Sequence, residues 1–457
     1  MTDVAPAGLL QCPTCGLRLP LAAAGEDCTD CRRVGLTVDG IPVLHDDAPA
    51  LRDDWSAQLH TFGIETQATR DKVLAQLAGQ ELHPLTRARL RRVHDALAQH
   101  QLHIEALFQD AGVASRAAAP LRAGRVPGEG VVTAYFDQLH RDWGWHEDTT
   151  EITIARQVVL DVVEDLRPKR MLVLGAGGCR LPYEIHRALG VETTVALDVN
   201  PLPLFVARRV IAGQTVSMFE FPLSPRHSDS VAVERDLRCD HPGAAGFLLL
   251  FADGLCPPAA TGAFDAVFTP WFIDQVPPDM RDLLPEIHRC LSPGGVWVNH
   301  GPLLYHPVHT MPTHRYRDDE VLALVAEAGF VVERSRWDRL LYMQSPAGSQ
   351  GRTEGILSFR ARRSEAAPSK APPSKARERP APPWLDDASM SIERWPGLEG
   401  YRAPHPMFAA VASLIDGQRS AHDIAREMIH RFGLPQASAL GGVMTCLAEM
   451  WRAGRSP

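Results

Sequence analysis

The sequence predicts an α/β fold in which helices cover both faces of a mostly parallel sheet. From about residue 165, short apolar strands alternate with helical segments, as in MLVLGAGG at 171–178, VETTVALD at 191–198 and GFLLLFADG at 246–254. A glycine-rich turn follows the first of these strands and opens a helix. Hydrophobic residues make up 45% of the chain and charged residues 22%, a composition typical of folded globular proteins. We place this α/β domain at residues 131–363.

The length and charge of the chain narrow the classes of protein it can belong to. A chain of 457 residues predicts several folded units, and a net charge of −8 gives no support for bulk binding to nucleic acid or to an anionic membrane surface. No apolar run approaches the roughly 20 residues that a membrane span needs. The start, MTDVAPAGLLQCPTC, lacks the basic patch and apolar stretch of a secretory signal. These features predict a soluble cytoplasmic protein with no membrane partner.

Four cysteines near the N-terminus have the spacing of a zinc site. They form two C-x2-C pairs and are Cys12, Cys15, Cys28 and Cys31. Four thiolates suit tetrahedral zinc, and because protein ligands fill all four positions the metal is expected to be structural. A small segment buries little core, so zinc would supply much of its stability. The sequence predicts a zinc ribbon over residues 1–48, with redox-active C-x-x-C pairs as the alternative.

The other flanking segments differ in composition. Residues 49–130 carry Leu, Val and Ala at three- and four-residue spacing, which predicts helices broken at Pro84, with the histidines of this segment on solvated faces. Residues 364–383 are rich in Pro, Ala, Ser and Lys and predict an extended linker. Residues 384–457 predict a small helical, winged-helix-like domain in which an Asp-Gly turn precedes a Ser-capped helix.

Three strand ends carry the residue types of a nucleotide-like cofactor site. The turn Gly175–Gly177 follows the first strand, and a residue without a Cβ lets a ligand approach the backbone. Asp198 ends the next strand, about twenty residues on, where a carboxylate can accept both ribose hydroxyls. A third strand ends at Asp253, where an acid can meet an adenine amino group. The glycine turn alone is also found in dinucleotide folds and in α/β folds that bind no nucleotide.

A later segment narrows the choice of cofactor. LSPGGVW at 291–297 turns a helix into a late strand, and this order of parts is more typical of an S-adenosylmethionine methyltransferase than of a dehydrogenase. The sequence contains neither a second nicotinamide fingerprint nor a G-x-x-x-x-G-K-[ST] phosphate loop. The motifs together therefore predict S-adenosylmethionine as the cofactor.

Two further strand ends bring polar groups to the same edge of the sheet, where ligands bind in such folds. TPWFID at 269–274 ends in Asp274, and WVNHGPLLYH at 297–306 contains Asn299 and His306. An acid, an amide and a histidine are therefore expected to converge where a substrate would meet the cofactor. Each has a structural alternative, since the acid can cap a helix, the amide can tie down a loop, and the histidine can be satisfied by the fold.

The chain resembles the carnosine N-methyltransferase family. The matching pieces are Arg141-Asp142-Trp143, LGAGGCRLPYE at 174–184, WFID at 271–274, GPLLYH at 301–306 and a late Tyr342. The chain departs from the family at His300, where the family usually has leucine, and at Gly178-Cys179-Arg180, where the family often reads G-L-G-R.

The resemblance implies a Rossmann-like class I methyltransferase core that methylates an imidazole nitrogen of a histidine-containing small molecule or peptide. A neutral imidazole, with a pKa of about 6.5, is already a nucleophile, so the reaction needs the right tautomer rather than a strong base. By resemblance, Asp274 accepts the ring N–H and His306 positions the ring or relays a proton. Tyr305 and Tyr342 would supply hydrogen bonds or a ring wall, and Asn299 completes the catalytic candidates.

The predicted cofactor site combines the strand-end residues with those that the resemblance adds. It comprises Arg141, Trp143, Gly175, Ala176, Gly177, Arg180, Asp198, Asn200, Asp253, Gly254 and Trp271. Arg141 is expected to contact the cofactor carboxylate, with a structural salt bridge as the alternative. Trp271 could instead belong to the core.

Three functions remain open on the sequence. The first is an enzyme that acts on a free histidine derivative. In the second, the ribbon or the C-terminal domain holds a peptide or protein partner and presents its histidine side chain. The third is a zinc-containing DNA-binding or adaptor protein with a degenerate methyltransferase core. The acidic charge and the presence of Gly175, Asp198 and Asp274 argue against the third.

Overall fold

The protein was analysed as a computed structural model. It describes residues 8–79, 81–116, 135–146, 151–243, 245–275, 279–305, 310–364, 382–385, 387–395, 398, 406–432 and 436–453. The chain divides into two compact units. The first contains the described residues up to 116, 135–305 and 315–364, and the second contains the remaining described residues. Most of the predicted linker at 364–383 lies outside the described residues.

The N-terminal segment consists of two small hairpins. Their strands are β1 (Leu10–Gln11), β2 (Arg18–Leu19), β3 (Thr37–Val38) and β4 (Ile41–Pro42). β1 pairs with β2, and β3 pairs with β4, both antiparallel. Asp39 and Gly40 join β3 to β4 with φ values of 53° and 69°. Positive φ at both central residues is what a type I′ hairpin turn requires.

Two long helices follow, α1 (Ala48–Gly79) and α2 (Pro84–Asp110). Pro84 occupies the start of α2, where its missing N–H costs nothing, and the His83 side chain accepts the N–H of Leu85. The predicted break at Pro84 is therefore confirmed. The expectation of solvated histidines is wrong for His100, which is 2% exposed and accepts the N–H of Phe219 through Nδ1 at 3.3 Å.

Two short helical segments lead to the sheet. α3 (Phe136–Leu139) continues directly into a single π-helical turn at His140–Gly144. α4 (Glu151–Val163) then packs one apolar face on the core, including Val159. π-helical turns are rare and often lie at functional sites, and this one carries Arg141, Asp142 and Trp143.

From Arg170 onward, the described residues of the α/β domain form nine strands and four α-helices. The strands are β5 (Arg170–Leu174), β6 (Thr193–Asp198), β7 (Val216–Glu220), β8 (Val233–Leu237), β9 (Phe247–Phe251), β10 (Phe264–Pro270), β11 (Leu291–Gly301), β12 (Phe330–Tyr342) and β13 (Arg352–Arg363). The helices are α5 (Arg180–Leu189), α6 (Pro201–Ile211), α7 (Met280–Cys290) and α8 (Asp318–Glu327).

Seven of these strands form one sheet in the order β12-β13-β11-β10-β5-β6-β9. The pairs from β11 to β9 are parallel, whereas β13 runs antiparallel to both β11 and β12. β7 and β8 form a separate antiparallel hairpin. Alternate residues of β5 face opposite cores: Val173 packs with α5, and Leu172 packs on the side of α7. The predicted mostly parallel sheet with helices on both faces is confirmed.

The N-terminal segment is joined to this sheet by backbone hydrogen bonds. The N–H of Leu44 donates to Phe251 O at the end of β9 at 2.9 Å, beside a parallel bridge from Val43. The N–H of Gln11 donates to Pro258 O, and the N–H of Ala260 donates to Leu9 O. The segment therefore covers the sheet edge at β9 and holds the loop that follows Asp253.

The second unit is built from three helices, α9 (Pro406–Leu414), α10 (Ala421–Phe432) and α11 (Gln436–Ala453). Ser420 accepts the N–H of Asp423, and the Asp423 carboxylate accepts the N–H of Ser420 in return, as in a capping box. Trp384, Trp395 and Trp451 pack with ring centroids 5.4–5.9 Å apart. This confirms the predicted helical C-terminal domain. Among the described residues, no helix is long and apolar enough to cross a membrane.

Candidate active site

A cleft of about 530 Å³ lies beyond the carboxyl ends of the parallel strands. Twelve of the sequence-predicted site residues line it. They are Arg141, Gly175, Ala176, Gly177, Arg180, Asp198, Asn200, Asp253, Gly254, Trp271, Asp274 and Tyr342. Parallel strands bring their carboxyl ends to one edge, so residues far apart in sequence meet there.

Two glycines, Gly175 and Gly177, shape the turn after β5, and the missing side chain has a different consequence at each. Gly175 and Gly177 have φ values of 67° and 50°. A Cβ on Gly175 would lie 2.3 Å from the Phe272 ring, so the protein itself fills this space. A Cβ on Gly177 would meet nothing within 4 Å. Gly177, rather than Gly175, therefore offers its backbone to a ligand in the cleft.

Asp198 ties this turn to β6. Its carboxylate accepts the N–H of Gly177 at 2.8 Å through Oδ2 and the N–H of Asn200 at 2.9 Å through Oδ1. Burial raises the pKa of Asp198, and these backbone N–H groups act in the opposite direction. An ionised carboxylate has about four acceptor positions, so each oxygen can still accept a ligand hydroxyl. At the third strand end, Asp253 Oδ1 accepts the N–H of Leu255 at 2.8 Å.

Arg141 packs against two aromatic rings of the cleft. Its guanidinium carbon is 5.3 Å from the centroid of the Trp271 ring and 5.2 Å from that of Tyr342. Its Nε donates to Asp142 at 2.8 Å, and Glu151 is 3.8 Å away. Arg141 therefore forms the salt bridge with Asp142 and also lines the cleft, and its guanidinium makes cation–π contacts with both rings.

Trp143 lies behind the glycine turn and does not line the cleft. It is 1% exposed, and its indole N–H donates to Gly178 O at 2.6 Å. The Arg180 guanidinium lies 5.0 Å from its ring. On the other side, a Cβ on Gly178 would lie 2.5 Å from an oxygen of Asp142. Trp143 and Asp142 thus hold the turn in place.

Trp271 has a backbone that a bulky residue rarely adopts, with φ at 46°. Its N–H donates to His300 O at 2.8 Å, and its ring meets the His300 ring edge-on at 4.9 Å. A Cβ on Gly301 would lie 2.9 Å from the Trp271 Cα, so glycine is required there. Burial lowers the pKa of His300 to about 3, which keeps its imidazole neutral. Strained backbone of this kind is common at active sites.

Asp274 lines the same cleft as Asp198. It is 1% exposed, and Oδ2 accepts the N–H of Leu304 at 3.0 Å. Among the described residues, Oδ1 has no hydrogen-bond partner. Burial raises the pKa of Asp274 to about 7, although the Leu304 N–H and the Gln275 side chain lower it. A buried carboxylate oxygen is therefore free to accept a ligand N–H.

Three predicted catalytic residues are not brought into the described cleft. Asn299 is fully buried; its Oδ1 accepts the Thr269 hydroxyl at 2.9 Å, and its Nδ2 donates to Leu357 O at 3.0 Å. Tyr305 packs with the apolar core at 9% exposure. His306 lies outside the described residues. Their roles in catalysis stay predictions.

The cleft also contains residues that the sequence analysis did not select, among them Tyr135, Gln138, Arg352 and Glu354. Tyr135, Gln138 and Arg141 recur every three residues, a spacing that could have placed them on one side of a helix. Burial raises the pKa of the Tyr135 hydroxyl, which hydrogen-bonds Asn200. Arg352 and Glu354 share one face of β13 by alternation, which gives no functional signal by itself.

The four N-terminal cysteines converge away from the cleft. Their sulfurs all lie within 4.8 Å of one another, with Cys12–Cys31 at 3.6 Å and Cys15–Cys28 at 3.7 Å. Zinc–sulfur bonds of about 2.3 Å in a tetrahedron place sulfurs about 3.8 Å apart. The cluster therefore has the dimensions to hold a metal ion of this kind.

Parts of the chain are similar in sequence to known proteins. Residues 236–352 match the family model for carnosine N-methyltransferase. The Drosophila melanogaster protein carnosine N-methyltransferase unmet is 30% identical over 200 residues, which cover 40% of this chain and 42% of that protein. Carnosine N-methyltransferase of Mus musculus is 48% identical over 44 residues, 10% of this chain and 11% of that protein. The chain thus spans less than half the length of these curated relatives.

Solved methyltransferase structures show a more distant likeness. An S-adenosylmethionine-dependent methyltransferase of Mesorhizobium loti is 15% identical with a TM-score of 0.32, covering 48% of this chain and 99% of that one. Geranyl diphosphate methyltransferase is 13% identical with a TM-score of 0.31, covering 46% of this chain and 78% of that one.

The residues matched by the family model include Trp271, Asp274 and Tyr342, which line the cleft. The glycine turn and Asp198 lie outside the matched residues but line the same cleft. Through this region the chain is similar to the carnosine N-methyltransferase family.

Proposed function

We propose that this protein is an S-adenosylmethionine-dependent N-methyltransferase that methylates an imidazole nitrogen of a histidine-containing small molecule or peptide. One observation carries the proposal. A single cleft is lined both by Gly177, Asp198 and Asp253 and by the buried Asp274, whose Oδ1 has no partner among the described residues. The family match over 236–352 supports the same reaction class.

The residues around the glycine turn fit the cofactor. The open side of Gly177 lets an adenosyl ligand approach the backbone, and Asp198 retains acceptor positions for ribose hydroxyls. Asp253 stands where an adenine amino group can be accepted, and Arg141 can pair with the carboxylate of the methionine portion. S-adenosylmethionine, when bound, supplies an electrophilic methyl group.

Asp274 is proposed to fix the acceptor ring. A neutral imidazole has one N–H and one bare nitrogen, and only the bare nitrogen attacks. If Asp274 Oδ1 accepts the N–H, the opposite nitrogen is left unprotonated and directed away from the carboxylate. Methylation gives the ring a positive charge, and a buried carboxylate stabilises that charge more strongly than water would. No strong base is needed, because the ring pKa is about 6.5.

Holding the ring in line with the methyl group is the second requirement. Alignment of two bound reactants can lower a barrier by about 7–11 kcal/mol in the best cases. Trp271 and Tyr342 lie 6.1 Å apart by ring centroids and form one wall of the cleft beside Asp274. We propose that His306 and Tyr305, from the loop after β11, complete the acceptor side.

The proposal is tested by calorimetric titration of the full chain with S-adenosylhomocysteine, followed by imidazole compounds and histidine peptides. Micromolar binding of the cofactor product, then binding of one such acceptor to the complex, is the expected result. A folded protein that binds no S-adenosylhomocysteine would contradict the proposal. Transfer of a labelled methyl group to an atom outside an imidazole ring would support methyltransferase activity and contradict imidazole as the methyl acceptor.

We also propose that the four cysteines hold a structural zinc ion, because four thiolates leave no open coordination position. Leu9, Gln11 and Leu44 tie this segment to residues 251–260, next to Asp253. Removal of zinc by a chelator should therefore lower the unfolding temperature and weaken S-adenosylhomocysteine binding, and added zinc should restore both. Less than one zinc per purified chain, with unchanged unfolding after chelation, would contradict this.

A further inference from the structure

We infer that Glu354 forms a subsite for a second, cationic nitrogen of the methyl acceptor, an ammonium group separate from the imidazole ring that Asp274 would hold. The inference rests on the proposed function and names a residue that sets acceptor specificity. Glu354 lies two residues beyond the family match at 236–352.

Glu354 is a buried carboxylate with one oxygen held and one left free. It lines the cleft and is 7% exposed. Both Arg352 contacts, 2.7 Å from Nε and 2.6 Å from Nη2, go to the same oxygen, Oε1. Within the described part of the chain, Oε2 is buried and has no hydrogen-bond partner. Leaving a buried acceptor unpaired costs free energy, and a ligand donor removes that cost.

The arginine that holds Glu354 is itself fixed. The Arg352 guanidinium lies 4.7 Å from the centroid of the Tyr342 ring, and Tyr342 in turn packs against Arg141. Oε1 is therefore anchored through a cation–π contact, which orients Oε2. A carboxylate held through one oxygen can still accept from a ligand through the other.

Asp274 is a second carboxylate that interacts electrostatically with Glu354. The charge of Glu354 contributes to the raised pKa of Asp274, so the two groups are close enough to interact. Each has a buried oxygen without a partner among the described residues, and both line one cleft. With Arg352 counted, the three groups carry a net charge of −1 when Asp274 is ionised. A cationic ligand relieves the repulsion between the carboxylates, whereas a neutral amide does so far less.

The order of strands places this subsite on the acceptor side of the cleft. The sheet runs β13-β11-β10-β5-β6, with the glycine turn after β5 and Asp198 at the end of β6. Glu354 on β13 is three strands from β5, about 14 Å at the usual strand spacing. Leu357 pairs with Gly301 in antiparallel register, so Glu354 lies beside the loop that follows β11. This loop also provides the Leu304 N–H to Asp274.

The chemistry that fits is a compound with an imidazole N–H for Asp274 and an ammonium group for Glu354. Imidazole compounds with a free amine should therefore bind better than the same compounds with the amine acylated. The matched probes are histamine and N-acetylhistamine; acetylation removes the charge and two of the three donors of this amine and adds an acetyl group. Both are titrated into the full-length protein saturated with S-adenosylhomocysteine, with calorimetry as the readout.

We expect the wild-type complex to bind histamine at least tenfold more tightly than N-acetylhistamine. Glu354→Gln keeps the shape and one acceptor for Arg352, and it should weaken histamine at least fivefold while changing N-acetylhistamine less than twofold. Glu333→Gln is the matched control, since Glu333 on β12 also pairs with arginines, Arg360 and Arg362, and does not line the cleft. It should change neither affinity.

Three outcomes would overturn the inference. The first is a wild-type protein that does not prefer histamine. The second is an equal effect of Glu354→Gln on both probes. The third is a loss of S-adenosylhomocysteine affinity in Glu354→Gln with the histamine preference intact, which would assign the free oxygen to the ammonium of the cofactor. A wild-type protein that binds no S-adenosylhomocysteine would instead contradict the proposed function itself.

Discussion

Asp198 and Asp274 are buried carboxylates that line one cleft, and the protein supplies them with different hydrogen-bond partners. Asp198 accepts backbone N–H groups at both oxygens, from Gly177 and Asn200. Asp274 accepts the backbone N–H of Leu304 through Oδ2, and its Oδ1 has no partner among the described residues. Burial raises the pKa of both groups. The first acid is thus built into the turn that it holds, while the second keeps an oxygen for a ligand.

The strongest test of this difference is Asp274→Asn. An amide can present its N–H₂ to the ring N–H, which removes the acceptor that selects the tautomer and the charge that stabilises the product. We expect kcat to fall at least 100-fold while S-adenosylhomocysteine affinity changes less than threefold. Asp265→Asn is the control, because Asp265 pairs with Arg170 at the opposite end of β10. Turnover within threefold of wild type would remove Asp274 from the mechanism.

The converse substitution is Asp198→Asn, which should act on the cofactor. The amide retains one uncharged acceptor oxygen, so the Gly177 and Asn200 N–H groups both lose a charged partner and one of them loses its acceptor. Ribose hydroxyls also lose a carboxylate acceptor. Loss of hydrogen bonds to a charged group costs about 1.5–3 kcal/mol, or roughly 10- to 100-fold in affinity. Calorimetry with S-adenosylhomocysteine measures this directly. Cofactor affinity unchanged within twofold would mean that Asp198 only shapes the turn.

One sequence pattern, an acid directly after an apolar strand, predicted both Asp198 and Asp274 as site residues. The pattern does not show which of the two carboxylates keeps an oxygen free for a ligand. The amides that satisfy them come from Gly177 and Leu304, which lie 21 and 30 residues away. Patterns local in the sequence were reliable: the strands, the glycine turn and the break at Pro84 follow from periodicity and backbone chemistry. Which carboxylate oxygen remains free depends on the packing of loops, which periodicity does not encode.

Asn299 and His100 illustrate the same limit. Asn299 sits at a strand end, where polar residues often bind ligands, but its amide donates to Leu357 on β13, 58 residues on. His100 sits on a helix that reads as partly solvated, but it accepts the N–H of Phe219, 119 residues away. Hydrogen bonds to such distant residues give Asn299 and His100 structural roles, although one was expected to face a ligand and the other the solvent. The local strand or helix pattern around each residue is the same in either case.

The N-terminal segment shows that long-range contacts also limit the prediction of domain boundaries. Its cysteine spacing predicts a small unit stabilised by metal, and the cysteine geometry fits that expectation. Its backbone, however, hydrogen-bonds to Phe251 and Pro258, and Leu10 lies in one core cluster with residues of β5 and β6. Sequence composition does not show that this segment shares a core with the sheet, because its apolar residues are the same whether they pack against each other or against the sheet.

The smallest expected effect is in the pH dependence, and it separates the two acids without altering the fold. The carboxylate form of Asp274 must be present to accept an N–H, and burial raises its pKa to about 7, so its active fraction rises with pH through neutrality. The free acceptor must also be neutral, with a pKa of about 6.5. We therefore expect log(kcat/KM) to climb with a slope of two below about pH 6 and to flatten above about pH 8. At pH 7 the rate constant should be about two- to threefold below its plateau.

Asp274→Asn should reduce the slope to one, and Asp198→Asn should leave it at two. A wild-type slope of one would mean that Asp274 is ionised throughout or takes no part in selecting the tautomer.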